Sequence, residues 1–206
     1  MEVMDGKRKW ARRAVLALFL PSVAAAALFF ALPKLMIAPL IAPQSDVILH
    51  ISVDTHSKAD EYIAGLYQRG IARKIVCLSS QVSWDVFPGD YARKHLISLG
   101  VPAEDVFSLR LPVTPCGGVN RPTLVNAMKS HGWKSALFLT HPEDSRYAEH
   151  LIRNYFERDG VTVAVSYAPE DKEALTKDWW RTHWKVQRFI GEILNATLDQ
   201  FYAECR

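Results

Sequence analysis

The sequence predicts an α/β fold: a mostly parallel five-stranded sheet with helices on both faces, preceded by one transmembrane helix. Three observations lead there. An uncharged run from Ala14 to Leu32 follows a basic N-terminus. From Asp46 onward, short apolar, β-branched runs alternate with helical patterns. Several of those helical patterns stop at a glycine just before the next apolar run, as at Gly70 and Gly100. Regular strand–helix alternation builds parallel sheets, because each crossover lays a helix on a sheet face.

The N-terminal elements come first. Lys7, Arg8, Lys9, Arg12 and Arg13 crowd the start, opposed only by Glu2 and Asp5. The 19 residues of "AVLALFLPSVAAAALFFAL" carry no charge. At about 1.5 Å rise per residue they reach roughly 28 Å, close to the roughly 30 Å hydrocarbon core of a bilayer. Pro21 lies inside, and membrane helices tolerate proline better than soluble ones. A cleaved signal has a shorter apolar core and a small-x-small exit. A soluble helix would show a polar face. The boundaries expected are therefore a basic tail at 1–13, an anchor at 14–32, a proline-rich linker at 33–45 and an α/β domain at 46–206. The basic flank places the N-terminus in the cytoplasm and the domain outside it.

Within the domain, "DVILHISV" (46–53) reads as a strand, and "SKADEYIAGLYQRG" (57–70) as a helix with its apolar residues at helical spacing. "KIVCLSS" (74–80) is the second strand. "GDYARKHLISLG" (89–100) is a helix with Asp90 as its expected N-cap. "DVFSLRL" (105–111), "SALFLT" (135–140) and "VTVAVSYA" (161–168) complete the strands. "RPTLVNAMKSHG" (121–132) carries proline in its first turn. "SRYAEHLIRNYFERDG" (145–160) is the fourth helix, and one long final helix is expected over about 178–203.

Composition narrows the partners. The chain has 206 residues and a formal charge of +3, with the excess at the N-terminus. A nucleic-acid binder would show a clustered basic face, so nucleic acid is not expected. The expected partners are the membrane and an anionic small-molecule ligand. Cys77 reads as a small core residue. Cys116 and Cys205 stand in a Pro-Cys-Gly-Gly loop and near the C-terminus, and their spacing does not establish a bridge.

Ligands of such sheets bind at the carboxyl ends of the strands, near the helix N-termini. The polar residues to weigh are those that follow the strands. They are "DTHSK" (54–58), Ser79 and Ser80, the glycine-containing connection after 111, and "THPEDSR" (140–146). Thr123 and Asn126 share one face of the next helix. Backbone N–H groups there favour anions, and Lys58, Arg121 and Arg146 add charge. His141, Glu143 and Asp144 can act as acid or base. The competing reading of Asp144 and Ser145 is a helix cap. GxSxG, HExxH, a P-loop and a glycine loop after the first strand are all absent, and no metal-ligand spacing appears. No cofactor can be named.

The order of "DVILHISV", "YARKHLISLGVPAEDV", Thr123-x-x-Asn126-Ala127, "SALFLTHPEDSRYAEHLIRNYF" and "WW" before a final helix resembles the YdcF-like family of SanA- and ElyC-type bacterial envelope proteins. The resemblance covers about residues 46–203. It implies a Rossmann-like three-layer sandwich behind a membrane anchor in the bacterial inner membrane. It also implies a role in envelope integrity, through peptidoglycan, lipid-carrier or polysaccharide metabolism. Thr123, Asn126, Ser145, Arg146 and Glu192 match family positions. Others depart: Val53-Asp54 replaces a glycine pair, Ser79-Ser80 a Ser-Gly, Val125 a glutamate and Asp144 a histidine. Lys58 is the cation nearest to a family arginine. The implied function is binding or processing of a phosphorylated or glycosylated envelope metabolite. Lys58, Ser79, Ser80, Thr123, Asn126, Thr140, Ser145 and Arg146 would hold the ligand, and Asp144 or His141 would serve as acid or base. The alternative that the resemblance implies is a non-catalytic accessory protein of an envelope or polysaccharide assembly, with a protein of that assembly as its partner. Aspartate in the histidine position removes a neutral base and adds negative charge beside the anion site.

Overall fold

A computed structural model of the chain describes residues 2–51, 58–112 and 121–198. The chain forms two compact units that divide between Leu35 and Met36.

The first unit is one helix, α1 (Glu2–Met36), with Pro21 and Pro33 inside it. Its stretch Phe19–Met36 is long and apolar enough to cross a membrane, and none of that stretch is buried in the protein. A signal sequence would pass the same test of length and composition. The helix runs four residues past the expected end at Leu32, through Pro33. Apolar residues continue on both sides of that proline, so the helix meets no polar stop there. What remains of the expected linker starts at Ile37.

The second unit holds a five-stranded, all-parallel sheet in the order β3-β2-β1-β4-β5. The strands are β1 (Val47–Ile51), β2 (Lys74–Ser80), β3 (Val106–Leu111), β4 (Ser135–Leu139) and β5 (Thr162–Ser166). Two helices, α2 (Ala59–Gln68) and α3 (Pro88–Ser98), supply Ile63, Leu66, Ala92 and Leu96 to one face. They pack on Ile48, Ile75, Cys77, Leu137 and Leu139. The other face receives Leu124, Val125 and Met128 from α4 (Arg121–Ser130) and Ala148, Ile152 and Phe156 from α5 (Ser145–Glu157). These meet Val47, Leu49, Val76, Leu78, Ala136 and Phe138. Side chains alternate between faces along each strand, and both faces are covered, so the strand sequences are predominantly apolar. This is the Rossmann-like order, reversing between β1 and β4.

Chain entry to the sheet is pinned by Asp46. Its Oδ2 accepts the backbone N–H groups of Lys134 and Ser135, each at 2.8 Å, and the Ser135 hydroxyl at 2.9 Å. The Lys134 N–H bond, outweighing a smaller cost of burial, keeps this carboxyl below its usual range.

Two local expectations change. Asp90 is not the cap of α3, because the helix starts at Pro88 after Phe87. Asp90 instead accepts the Ser108 hydroxyl at 2.5 Å and Arg110 Nη2 at 3.1 Å, tying α3 to β3. The region after β5 is not one long helix. It comprises α6 (Pro169–Thr176), a 3-10 turn at Trp179–Arg181 and α7 (His183–Leu198). Asp178 has a left-handed φ of 49° and Thr182 is extended, and each interrupts helical hydrogen bonding.

Candidate functional site

The strand order reverses between β1 and β4, so the carboxyl ends of these two strands flank the crevice where sheets of this class hold ligands. The connections after β1 and β3 are 52–57 and 113–120. They contain Asp54, Thr55, His56, Ser57 and the glycine pair, and they lie outside the described residues. The exit of β4 is described in full and carries most of the polar chemistry.

After Leu139 the chain passes Thr140 and His141, both half-buried, and turns through the 3-10 helix Pro142–Asp144 into α5. Pro142 fits the first position of that turn, where its missing N–H is no loss. Glu143 is only 2 % exposed, and its Oε1 lies 2.5 Å from Arg188 Nε of α7. A carboxylate this buried needs a charged partner, and α7 is therefore held against the β4 exit.

Asp144 sits between Glu143 and Glu192. Burial pushes its carboxyl up to about 8. The negative charges of Glu192 and Glu143 add to the rise, and a hydrogen bond with Glu192 supports the protonated form. Arg188 opposes the rise without cancelling it. Its Oδ1 is buried without a hydrogen-bond partner. A like charge beside a carboxyl disfavours its ionised form, so the Asp144 carboxyl holds its proton. Asp144 also forms no side-chain cap on α5. The capping reading of Asp144 therefore gives way to an acid pair, Asp144–Glu192. Among the described residues no cluster of metal-ligating side chains forms.

Ser145, Arg146 and Lys58, three of the residues expected to grip an anion, have partners within the protein. Ser145 is fully buried. Its hydroxyl donates to Pro142 O at 2.5 Å and accepts the Ala38 N–H at 2.9 Å. Arg146 Nη2 donates to Ile37 O at 3.1 Å, and the Tyr167 hydroxyl donates to Ala38 O at 2.9 Å. All three thus hold the backbone just beyond α1's last residue. Lys58 is exposed, and its ammonium pairs with Glu61 Oε1 at 3.0 Å on its own helix. Its backbone N–H donates to Asp171 of α6 at 2.9 Å. Ser79 is buried against α3, where a Cβ added to Gly89 would come within 2.8 Å of its hydroxyl. Ser80 is half-buried at the end of β2. On α4, Thr123 is half-buried and Asn126 exposed, while the side chain of Arg121 lies outside the description.

The structure therefore assembles Glu143, Asp144, Glu192 and Arg188, while the Lys58 ammonium pairs with Glu61 and Ser79 packs against α3. Arg188 carries no sequence signal: it is one of several cations in an amphipathic helix. Glu192 is visible only through the family resemblance.

A second polar cluster lies under α2 and α3. Asp60 Oδ1 meets His50 Nε2 at 2.9 Å, and Oδ2 meets His95 Nδ1 at 2.7 Å. His50 is 5 % exposed on β1. Burial would raise the Asp60 carboxyl, but the hydrogen bonds from His50 and His95 outweigh it and hold the group below its ordinary value.

Fold and site together define a doubly wound α/β domain with a half-buried carboxyl pair at the carboxyl edge of its sheet. No protein-family model matches the chain, and no curated protein matches it.

Proposed function

We propose that the chain is a membrane-anchored, YdcF-like protein of the bacterial cell envelope whose domain binds or processes a glycosylated envelope metabolite. In this reading α1 is a single-pass anchor in the inner membrane, with the N-terminus cytoplasmic and the domain extracytoplasmic. Asp144 is the acid of the site.

One observation carries the reading. A carboxyl at the β4 exit keeps its proton through neutral pH because it is buried beside Glu192 and Glu143. A neutral carboxylic acid at the ligand edge donates a hydrogen bond, or a proton to a leaving oxygen, at physiological pH. The same cluster narrows the ligand. Three acids against Arg188 offer a poor field for phosphate, and Ser145 and Arg146 are committed to backbone. Sugar hydroxyls suit a protonated acid beside a carboxylate better than a phosphate does.

The test is calorimetric titration of the full chain in detergent with soluble peptidoglycan glycan fragments. Asp144→Asn should weaken binding by about tenfold, the worth of one hydrogen bond to an acid group. Equal binding by wild type and a folded Asp144→Asn protein would remove Asp144 from the site.

The second reading is a non-catalytic accessory protein of an envelope or polysaccharide assembly. It is favoured by the use of Ser145, Arg146 and Tyr167 as a clamp on Ile37 and Ala38. Under it, Ser145→Ala would disturb envelope function in cells while Asp144→Asn would not.

A further inference from the structure

The connection that leaves β2 carries an apolar tip. Val82 N–H donates to Val86 O at 3.1 Å, and Val86 N–H donates to Ser83 O at 2.7 Å. This closes a tight turn around Trp84, which takes a left-handed φ of 43°. Such a φ is uncommon for a bulky side chain. Trp84 is 89 % exposed and Val82 62 %. Tyr91, in the first turn of α3, is also exposed.

More apolar surface stands at the same sheet edge. The turn Trp179–Arg181 leads into α7, which reaches the β4 exit through Arg188 and Glu143. Trp179 is buried there, while Trp180 and Trp184 are exposed. Scattered exposed apolar residues are ordinary. Here three exposed tryptophans follow the carboxyl ends of β2 and β5 in one sheet. Trp133, just before β4 at the opposite edge, is instead stacked on His131 at 4.4 Å and only partly exposed.

The chain enters the domain at this edge. Ile37 and Ala38 directly follow the last residue of α1, and both are fastened at this edge by Ser145, Arg146 and Tyr167. A span ending at Met36 delivers the chain here. Cations flank the exposed rings: Lys94 Nζ is 5.7 Å from the Tyr91 ring centre and Lys185 Nζ is 5.6 Å from that of Trp184.

We propose that the carboxyl edge of the sheet rests on the bilayer that α1 crosses, with Trp84, Val82, Trp180 and Trp184 at headgroup depth. Tryptophan favours this zone because its ring is apolar and its N–H polar. Lys94 and Lys185 suit anionic headgroups. Exposed Asp85 in the same turn keeps the tip at headgroup depth, above the hydrocarbon. Tethering raises the local concentration of the surface, so even a weak contact is populated. The inference rests on the anchor reading of α1 but not on Asp144.

The test uses the full chain in phosphatidylethanolamine–phosphatidylglycerol vesicles, with Cys116 and Cys205 replaced by serine. Trp84→Cys carries an environment-sensitive fluorophore, with His131→Cys and Phe30→Cys as references for the opposite edge and the span. The label at position 84 should be quenched by headgroup-level nitroxide lipid and shielded severalfold from aqueous iodide relative to position 131. Equal iodide access at 84 and 131, with position 30 in the bilayer, overturns the proposal and leaves the anchor standing. Shielding of 84 only in native membranes, and not in vesicles, assigns the tip to a protein partner and also overturns it. Iodide access at position 30 removes the anchor itself, and the proposal with it.

Discussion

Arg188 Nε of α7 lies 2.5 Å from Glu143 Oε1, a carboxylate 2 % exposed at the exit of β4. This contact brings a helix late in the sequence over the edge of the sheet and sets Glu192 beside Asp144. Arg188→Ala would leave Glu143 buried without its counter-charge. Breaking a buried pair costs about 3–5 kcal/mol. Because Arg188 is 38 % exposed on its side chain, a loss nearer ~2 kcal/mol is expected. Urea unfolding of the variant should show the loss, and Glu143→Gln in the same background should recover part of it.

The acid cluster predicts an alkaline slope in stability. The folded Asp144 carboxyl is raised to about 8 against an ordinary 3.8. Between those values the folded chain holds a proton that the unfolded chain has released, so stability falls as pH rises through this window. The contribution is fully present below 3.8 and gone above about 8. Asp46, Asp60, Asp90 and Asp105 are shifted the other way, and their contributions are lost only in acid. Thermal unfolding followed across the neutral range should show a falling melting temperature that Asp144→Asn flattens. An unchanged slope in the variant would contradict the assignment.

Much of the fold was legible in sequence, because a doubly covered sheet demands unbroken apolar runs and each helix before a strand closes on glycine. β2 matches its expected bounds, and the other strands differ only at their ends. The last region was less legible. Trp180 and Trp184 keep the four-residue helical spacing, yet Thr182 between them is extended and Asp178 before them is left-handed. Apolar period does not report one backbone angle. At the site, the position of "THPEDSR" after β4, and so at the carboxyl edge, was legible. What Ser145 and Arg146 bind could not be read, since their partners Ala38 and Ile37 lie over a hundred residues away. The Asp144–Glu192 pair is equally non-local, and only packing brings the two carboxyls together.

Ser145→Ala tests the clamp. It removes the acceptor of the Ala38 N–H and leaves that group buried, at a cost of about 1–2 kcal/mol. Limited proteolysis should become faster at residues 39–45, where the chain is largely exposed. Binding of glycan fragments should be unchanged.

Asp60→Ala separates the second cluster from the site. It strands His50, 5 % exposed, without its carboxylate. A loss of about 1–3 kcal/mol is expected in denaturant unfolding. Glycan binding and the alkaline stability slope should both survive, because neither depends on α2.

The central claim is that Asp144 carries a proton at neutral pH. Infrared difference spectroscopy of the full chain against Asp144→Asn measures this directly. The account predicts a protonated-carboxyl stretch in the wild type at neutral pH that the variant lacks and that disappears as pH rises past about 8. A difference spectrum showing only carboxylate bands at neutral pH would contradict it.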